Sequence, residues 1–264
     1  MERSLGIVVP AYEPDLPRLE RYVDALHDRL DPAVVRVELD APEDTTLDAV
    51  RALPAEVNAV PSRRGKGAAV TAGFEALDTG LLCFLDADGS TPADAAAAVV
   101  GALAEADVAV GSRRHPEAHV AGHQTVARRF LGDGFAWVAR RLLDARLYDY
   151  QCGAKALTAE AWAAVRSHLY EPGFAWDVEF VAMAAALGYR LREVPIEWED
   201  APGSTVDPVA TVIDMSRALF VARHRAKRVQ DSRLHGALAA GSEPVALVDR
   251  EEVGRSVIGE EVER

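Results

Sequence analysis

The chain has 264 residues, 49% apolar and 27% charged, a balance that excludes bulk disorder and allows one sizeable core. Its net charge of −13 excludes long-range attraction to nucleic acid, and leaves any contact with an anionic membrane to a local patch. Cys83 and Cys152 are too few for a disulfide framework, the N-terminus lacks a signal peptide's apolar region, and no apolar run is long enough to span a membrane, so a cytoplasmic setting is expected.

Short apolar runs alternate with helical patterns through the first half. Strands are predicted at 5–10, 34–39, 57–60, 81–85 and 107–111, and helices near 15–30, 44–52, 66–78 and 92–105, where apolar residues recur at three- and four-residue spacing. Thr91 before Pro92 predicts an N-cap and a first helical turn. This alternation implies an α/β fold, a mostly parallel sheet with helices on both faces, whose ligands bind beyond the carboxyl ends of the strands. The second half opens with a long helical stretch over 120–146, which carries Phe130, Phe135 and Trp137 among Arg128, Arg129, Arg140 and Arg141. A turn at 149–155, helices near 158–168 and 176–187, a strand around 190–198 and an amphipathic helix over 208–228 follow. Beyond 230 the chain turns polar without a sustained period. A domain over 1–230 and a flexible tail over 231–264 are expected.

The strongest chemical signal is LLCFLDADGSTP (81–92), in which an apolar strand delivers Asp86 and Asp88 into a Gly-Ser turn. Alternation would place both carboxylates on one side where the extended geometry persists, and two such groups at the open end of a buried strand call for a cation or water. Mg²⁺ or Mn²⁺, with substrate phosphates completing the shell, suits an all-oxygen pair. A solvated turn is the competing reading. RGKG (64–67) opens a helix after a strand, where glycines permit close approach, free amides suit a phosphate and Lys66 adds a point charge. Guanidinium groups hold phosphates bidentately, which gives Arg113, Arg128 and Arg129 a use beyond a solvated face. Cys152 reads as a small buried residue and not a nucleophile.

In order, VVPAYE (8–13), RRGKGAAVTAGF (63–74), FLDADGSTP (84–92), GSR (111–113), RR (128–129), YDYQCGAK (148–155) and WDVEFVAMAAALGY (176–189) resemble family-2 inverting glycosyltransferases, and within them the dolichyl-phosphate mannose and glucose synthase branch. The resemblance covers roughly 5–215 and implies a GT-A-like nucleotide-diphospho-sugar transferase fold. It implies donor binding by Pro10, Tyr12, Glu13, Asp40, Lys66 and Asp86, a metal on Asp86 and Asp88, and catalytic roles for Asp88, Arg113 and Gln151. It also implies an acceptor phosphate met by Arg113, Arg128, Arg129 and Lys155. Two segments depart from the family pattern: Glu13-Pro14 stands for Asn-Glu, and Ala41-Pro42 follows Asp40 where Asp-Gly-Ser is usual.

The expected activity is transfer of a hexose from a GDP- or UDP-sugar to dolichyl or another polyprenyl phosphate, at the inner face of a membrane reached through the helices at 120–146 and 208–228. One alternative is transfer to a saccharide hydroxyl, with Asp149, Asp177 or Glu179 as base. A sugar nucleotidyltransferase and a non-catalytic nucleotide-sugar sensor are the others.

Overall fold

The computed structural model describes residues 4–121, 126–199, 208–230 and 244–250, with side chains at all of these except 121, 126–133 and 208–214. Strands β1 (Leu5–Tyr12), β2 (Val34–Asp40), β3 (Glu56–Val60), β4 (Leu81–Leu85), β5 (Val108–Ser112), β7 (Ala154–Thr158) and β8 (Leu191–Pro195) form one sheet in the order β3-β2-β1-β4-β7-β5-β8. Every neighbouring pair is parallel except those of β7, which runs antiparallel to both β4 and β5. The carboxyl ends of β1 to β5 therefore share one edge, and β7 begins there. A second small sheet pairs β6 (His119–Ala121) with β9 (Glu197–Glu199). The single strand expected around 190–198 is thus two, which break at Ile196 and join different sheets.

Strand alternation divides the core into two layers. Ile7, Val9, Val37, Cys83, Leu85 and Ala109 face α1 (Leu16–Leu30), α2 (Asp44–Arg51) and α4 (Ala93–Gly101). Val8, Leu82, Phe84, Val108, Val110 and Leu157 face α3 (Lys66–Ala76), α5 (Val126–Leu142), α6 (Ala159–Val165), α7 (Trp176–Ala186) and α8 (Pro208–Val229). Helices on both faces were expected, and are found. Helix α4 starts differently from its expected form: Pro92 occupies the N-cap position without a side-chain cap, and the carbonyl of Thr91 instead accepts the Tyr22 hydroxyl at 2.7 Å.

Helices α3 and α7 are buried on all sides, Gly67 to Phe74 and Trp176 to Ala184 without a break. Small residues make this possible: a Cβ on Gly73 would lie 2.5 Å from Val8 Cγ1, so glycine lets α3 rest directly on β1. Helix α8 covers α7 with Met215, Leu219, Ala222 and Ala226, and α5 adds Ala136 and Ala139. Much of the apolar face expected to meet a membrane is thus spent on the core, Leu219 included. Trp137 and Phe220 remain 56% and 58% exposed; the side chain of Phe130 lies outside the described residues.

Part of the expected tail also packs. Leu247 is fully buried, its amide donates to the Leu169 carbonyl at 2.8 Å, and Arg250 donates to the Tyr170 carbonyl. The short apolar run Val245–Val248 explains this return to the body.

Candidate active site

The sequence motifs converge on the shared carboxyl edge. Leaving β4, Asp86 donates its amide to the Gly153 carbonyl at 3.0 Å, which ties the DADGS turn to the start of β7. A Cβ at Gly153 would sit 1.7 Å from Asp86 Oδ2, so only glycine leaves room for that carboxylate. Asp88 Oδ1 accepts the Ser90 amide at 2.9 Å, an Asx-type turn that orients the second acid. Among the described residues, no protein group bonds the other oxygen of Asp88, or Asp86 Oδ2. No cluster of three or more metal-ligating side chains occurs among the described residues. Two hard carboxylates suit Mg²⁺ or Mn²⁺ when a diphosphate and water supply the remaining oxygens, as such ions commonly bind. The residues present fit that group.

Lys66, the first residue of α3, reaches into this turn. Its Nζ lies 2.9 Å from Asp86 Oδ1 and 3.0 Å from Asp177 Oδ2, and 5.0 Å from the centre of the Phe84 ring. Burial pushes the Lys66 pKa down, but Asp177 and Asp86 together raise it above its ordinary value. Behind it, Lys155 Nζ pairs with Asp177 Oδ1 and donates to the Cys152 carbonyl at 2.8 Å. Lys155 was expected to meet the acceptor phosphate, and the structure corrects this. The residue is fully buried at the second position of β7, and its ammonium is closed by Asp177. Asp177 is held below the usual carboxylate range: burial opposes this, and Lys155 and Lys66 outweigh it.

The RGKG loop is braced from beneath. Asp40 accepts the amides of Arg64 at 2.8 Å and Gly65 at 3.0 Å, and Arg64 Nε at 2.8 Å. Both carboxylate oxygens are thereby engaged, so Asp40 shapes the loop that leads into α3. Fully buried Glu38 extends the brace to Arg36, Asn58 and Arg64. Sequence reasoning missed Glu38, although Arg36, Glu38 and Asp40 at alternate positions of an otherwise apolar strand are a legible signal. Beside this loop the ring of Tyr12, 39% exposed, lies under the Arg63 guanidinium at 4.0 Å. Pro10 pairs with Glu38 in the β1–β2 register. Glu13 and Ala41 close β1 and β2 at φ of 46° and 47°. This left-handed conformation favours Asn or Gly, so Glu13 and Ala41 adopt it against steric preference.

On the other side of the turn, Arg113 grips Asp149 with Nε at 2.7 Å and Nη2 at 3.1 Å, and lies over Trp198. Burial raises the Asp149 pKa, but Arg113 outweighs it and brings the value to about 2. Gln151 donates its amide to Asp149 Oδ1 at 3.0 Å, and its side chain has no protein partner among the described residues. Burial pushes the Cys152 thiol up to about 12, which removes it as a nucleophile. Arg128 and Arg129 fall on α5 with side chains outside the described residues.

A cavity of about 560 Å³ opens between residues 171–175 and α8, lined by Phe174, Ala175, Met215, Ala218 and Val221 with Arg217 and Arg225. Its wall is shared with the site: the Pro172 carbonyl accepts the Ala68 amide at 3.0 Å, at the first turn of α3. Inside the cavity, Glu179 accepts the amides of Tyr170 and Glu171 and pairs with Arg225. Its pKa is raised, because burial outweighs those partners.

Residues 6–150, more than half of the chain, match the profile of Glycosyl transferase family 2. The chain belongs to that family. It is 28% identical over 230 residues to glycosyltransferase AglD of Haloferax volcanii, an alignment covering 82% of this chain and 36% of the relative. It is 31% identical over 169 residues to the mouse dolichyl-phosphate beta-glucosyltransferase, covering 61% of this chain and 52% of the relative. The chain therefore spans about a third to a half of these two relatives. The fold is GT-A: glucosyl-3-phosphoglycerate synthase from Mycobacterium tuberculosis, in complex with Mn²⁺ and UDP, superposes with a TM-score of 0.64 at 19% identity, over 84% of this chain and 80% of that one. In this family 2 member no described helix is long and apolar enough to cross a membrane.

Proposed function

We propose that this family 2 member transfers a hexose, glucose in the first instance, from a nucleotide diphosphate sugar to a polyprenyl phosphate, with inversion at the anomeric carbon. The observation that carries this reading is the meeting of Lys66, at the amino end of α3, with Asp86 in the turn that also carries Asp88. It is a cluster of opposite charges that suits a cation and a diphosphate together. The names of the curated relatives support glucose and a dolichyl acceptor.

Tyr12 and Arg63 offer a stacking platform for the base, and the loop braced by Asp40 delivers the Lys66 ammonium to the diphosphate. Asp86 and Asp88 would hold Mg²⁺ or Mn²⁺; the chemistry so supplied is neutralisation of charge on the departing diphosphate. The state of the remaining acids favours a phosphate acceptor over a hydroxyl. Asp149 is clamped by Arg113 and Asp177 by two lysines, which hold both below the usual carboxylate range and make them weak bases, while Glu179, raised by burial, spends its oxygens on Arg225 and two amides. A phosphate monoester is largely ionised near neutral pH and attacks without a base. The cavity beside α8 supports a lipid phosphate, since Phe174, Ala175, Met215, Ala218 and Val221 give it an apolar wall beside charged residues, and Arg217 stands at it without a protein partner among the described residues. Exposed Trp137 and Phe220 would rest at the membrane surface.

The test is incubation of the purified chain with labelled UDP-glucose, UDP-galactose or GDP-mannose and a polyprenyl phosphate, followed by organic extraction. Label should enter the organic phase from UDP-glucose with Mn²⁺ or Mg²⁺, and excess chelator should abolish it. Extraction of no label from any donor, or undiminished transfer in chelator, contradicts the reading.

A further inference from the structure

We propose that Lys66 stands in for the cation at Asp86, and so makes metal binding depend on the donor's diphosphate. This rests on the metal-dependent reading above and adds a regulation of that site. Four charges form a closed series across three elements and the turn: Lys155 on β7, Asp177 on α7, Lys66 on α3 and Asp86 after β4. Two cations and two anions balance, so Asp86 is already compensated without a metal.

The ammonium of Lys66 is not free to withdraw. Asp177 Oδ2 holds it at 3.0 Å from the buried side, the Phe84 ring lies beneath it, and Asp177 is itself fixed by Lys155. A divalent ion binding Asp86 at roughly 2 Å must approach while an ammonium sits on the same carboxylate. Repulsion at that separation is strong where water is scarce. A diphosphate changes the balance by bringing negative charge within reach of both cations, and Lys66 is placed at the α3 terminus where such a group would dock. Metal and nucleotide thus favour each other's binding, and by linkage the effect is reciprocal.

The experiment titrates Mn²⁺ into the full chain, read by the loss of free Mn²⁺ signal in electron paramagnetic resonance, with and without saturating UDP or GDP. In the unmodified protein the nucleotide should raise Mn²⁺ affinity about tenfold or more. Lys66→Met should raise nucleotide-free Mn²⁺ affinity by about tenfold and cut the nucleotide's enhancement to about twofold or less. Lys66→Gln, which keeps a hydrogen-bond donor without the charge, should do the same and serves if the methionine variant fails to fold. Lys66→Arg should retain the coupling. Unchanged or weakened nucleotide-free Mn²⁺ binding in both neutral variants, with coupling intact in the unmodified protein, overturns the proposal alone. Absence of Mn²⁺ binding to the unmodified protein with either nucleotide overturns the metal-dependent reading, and the proposal with it.

Discussion

Asp149 and Asp177 are almost wholly buried and each is closed by cations, whereas Asp86 keeps 41% of its side chain exposed and Asp88 bonds an amide of its own turn. All four acids lie along one edge of one sheet. The difference lies in what each can still bind. Buried acids act as struts: Asp177 fixes two lysines, Asp149 fixes Arg113, and Asp40 fixes the loop before α3. The exposed pair retains oxygens for a ligand. Desolvation enforces this division, because a buried charge persists only when paired, while a charge at the rim can await a partner.

Substitutions in the two groups should therefore fail differently. Asp88→Ala should lower the transfer rate by about a thousandfold and cost no more than about 1 kcal/mol in unfolding, since it removes a ligand-facing oxygen and one turn hydrogen bond but no core contact. Lys155→Met should instead cost about 3 kcal/mol in denaturant unfolding, because Asp177 loses its buried partner. An unfolding free energy within about 0.5 kcal/mol of the parent would show that Lys155 is not a strut.

Asp149 tests the division through pH. Its folded value of about 2 lies below its ordinary 3.8, so its stabilisation is complete above the unfolded value and is lost as pH falls through about 2. Asp149→Asn should remove about 2 kcal/mol at neutral pH and flatten the acid limb of the stability curve below pH 4. The smallest effect is expected at the cavity. Ala218→Trp should reduce transfer to long polyprenyl phosphates about fivefold, or about 1 kcal/mol, with UDP-glucose binding unaltered.

Strands such as 81–85 were legible because apolar runs ending in turn residues leave little choice, and the DADGS turn announced its carboxylates. Strand β7 was not, because AKALT has small residues and a lysine at its second position. That lysine is tolerable in a sheet only because Asp177 neutralises it. Such pairs are invisible to local reading: Arg113 and Asp149 lie 36 residues apart, and Lys66 and Asp177 lie 111 apart. Hence Lys155 read as a phosphate ligand and proved a strut. The all-round burial of α7 was equally hidden, since its residues 176–187 read as an ordinary helix until α8 was seen to cover it. The return of Leu247 to the body was masked because its apolar run, Val245–Val248, is only four residues long and set in polar sequence.

The most direct measurement compares two acceptors that differ only at the reacting end. Purified chain, Mn²⁺ and labelled UDP-glucose would be mixed with a polyprenyl phosphate or with the polyprenol of the same length, and glycolipid formation followed from pH 6 to 9. The arrangement of clamped acids predicts product from the phosphate alone, at a rate that varies little across that range. Product from the alcohol at a comparable rate, rising with deprotonation of a base, would contradict it.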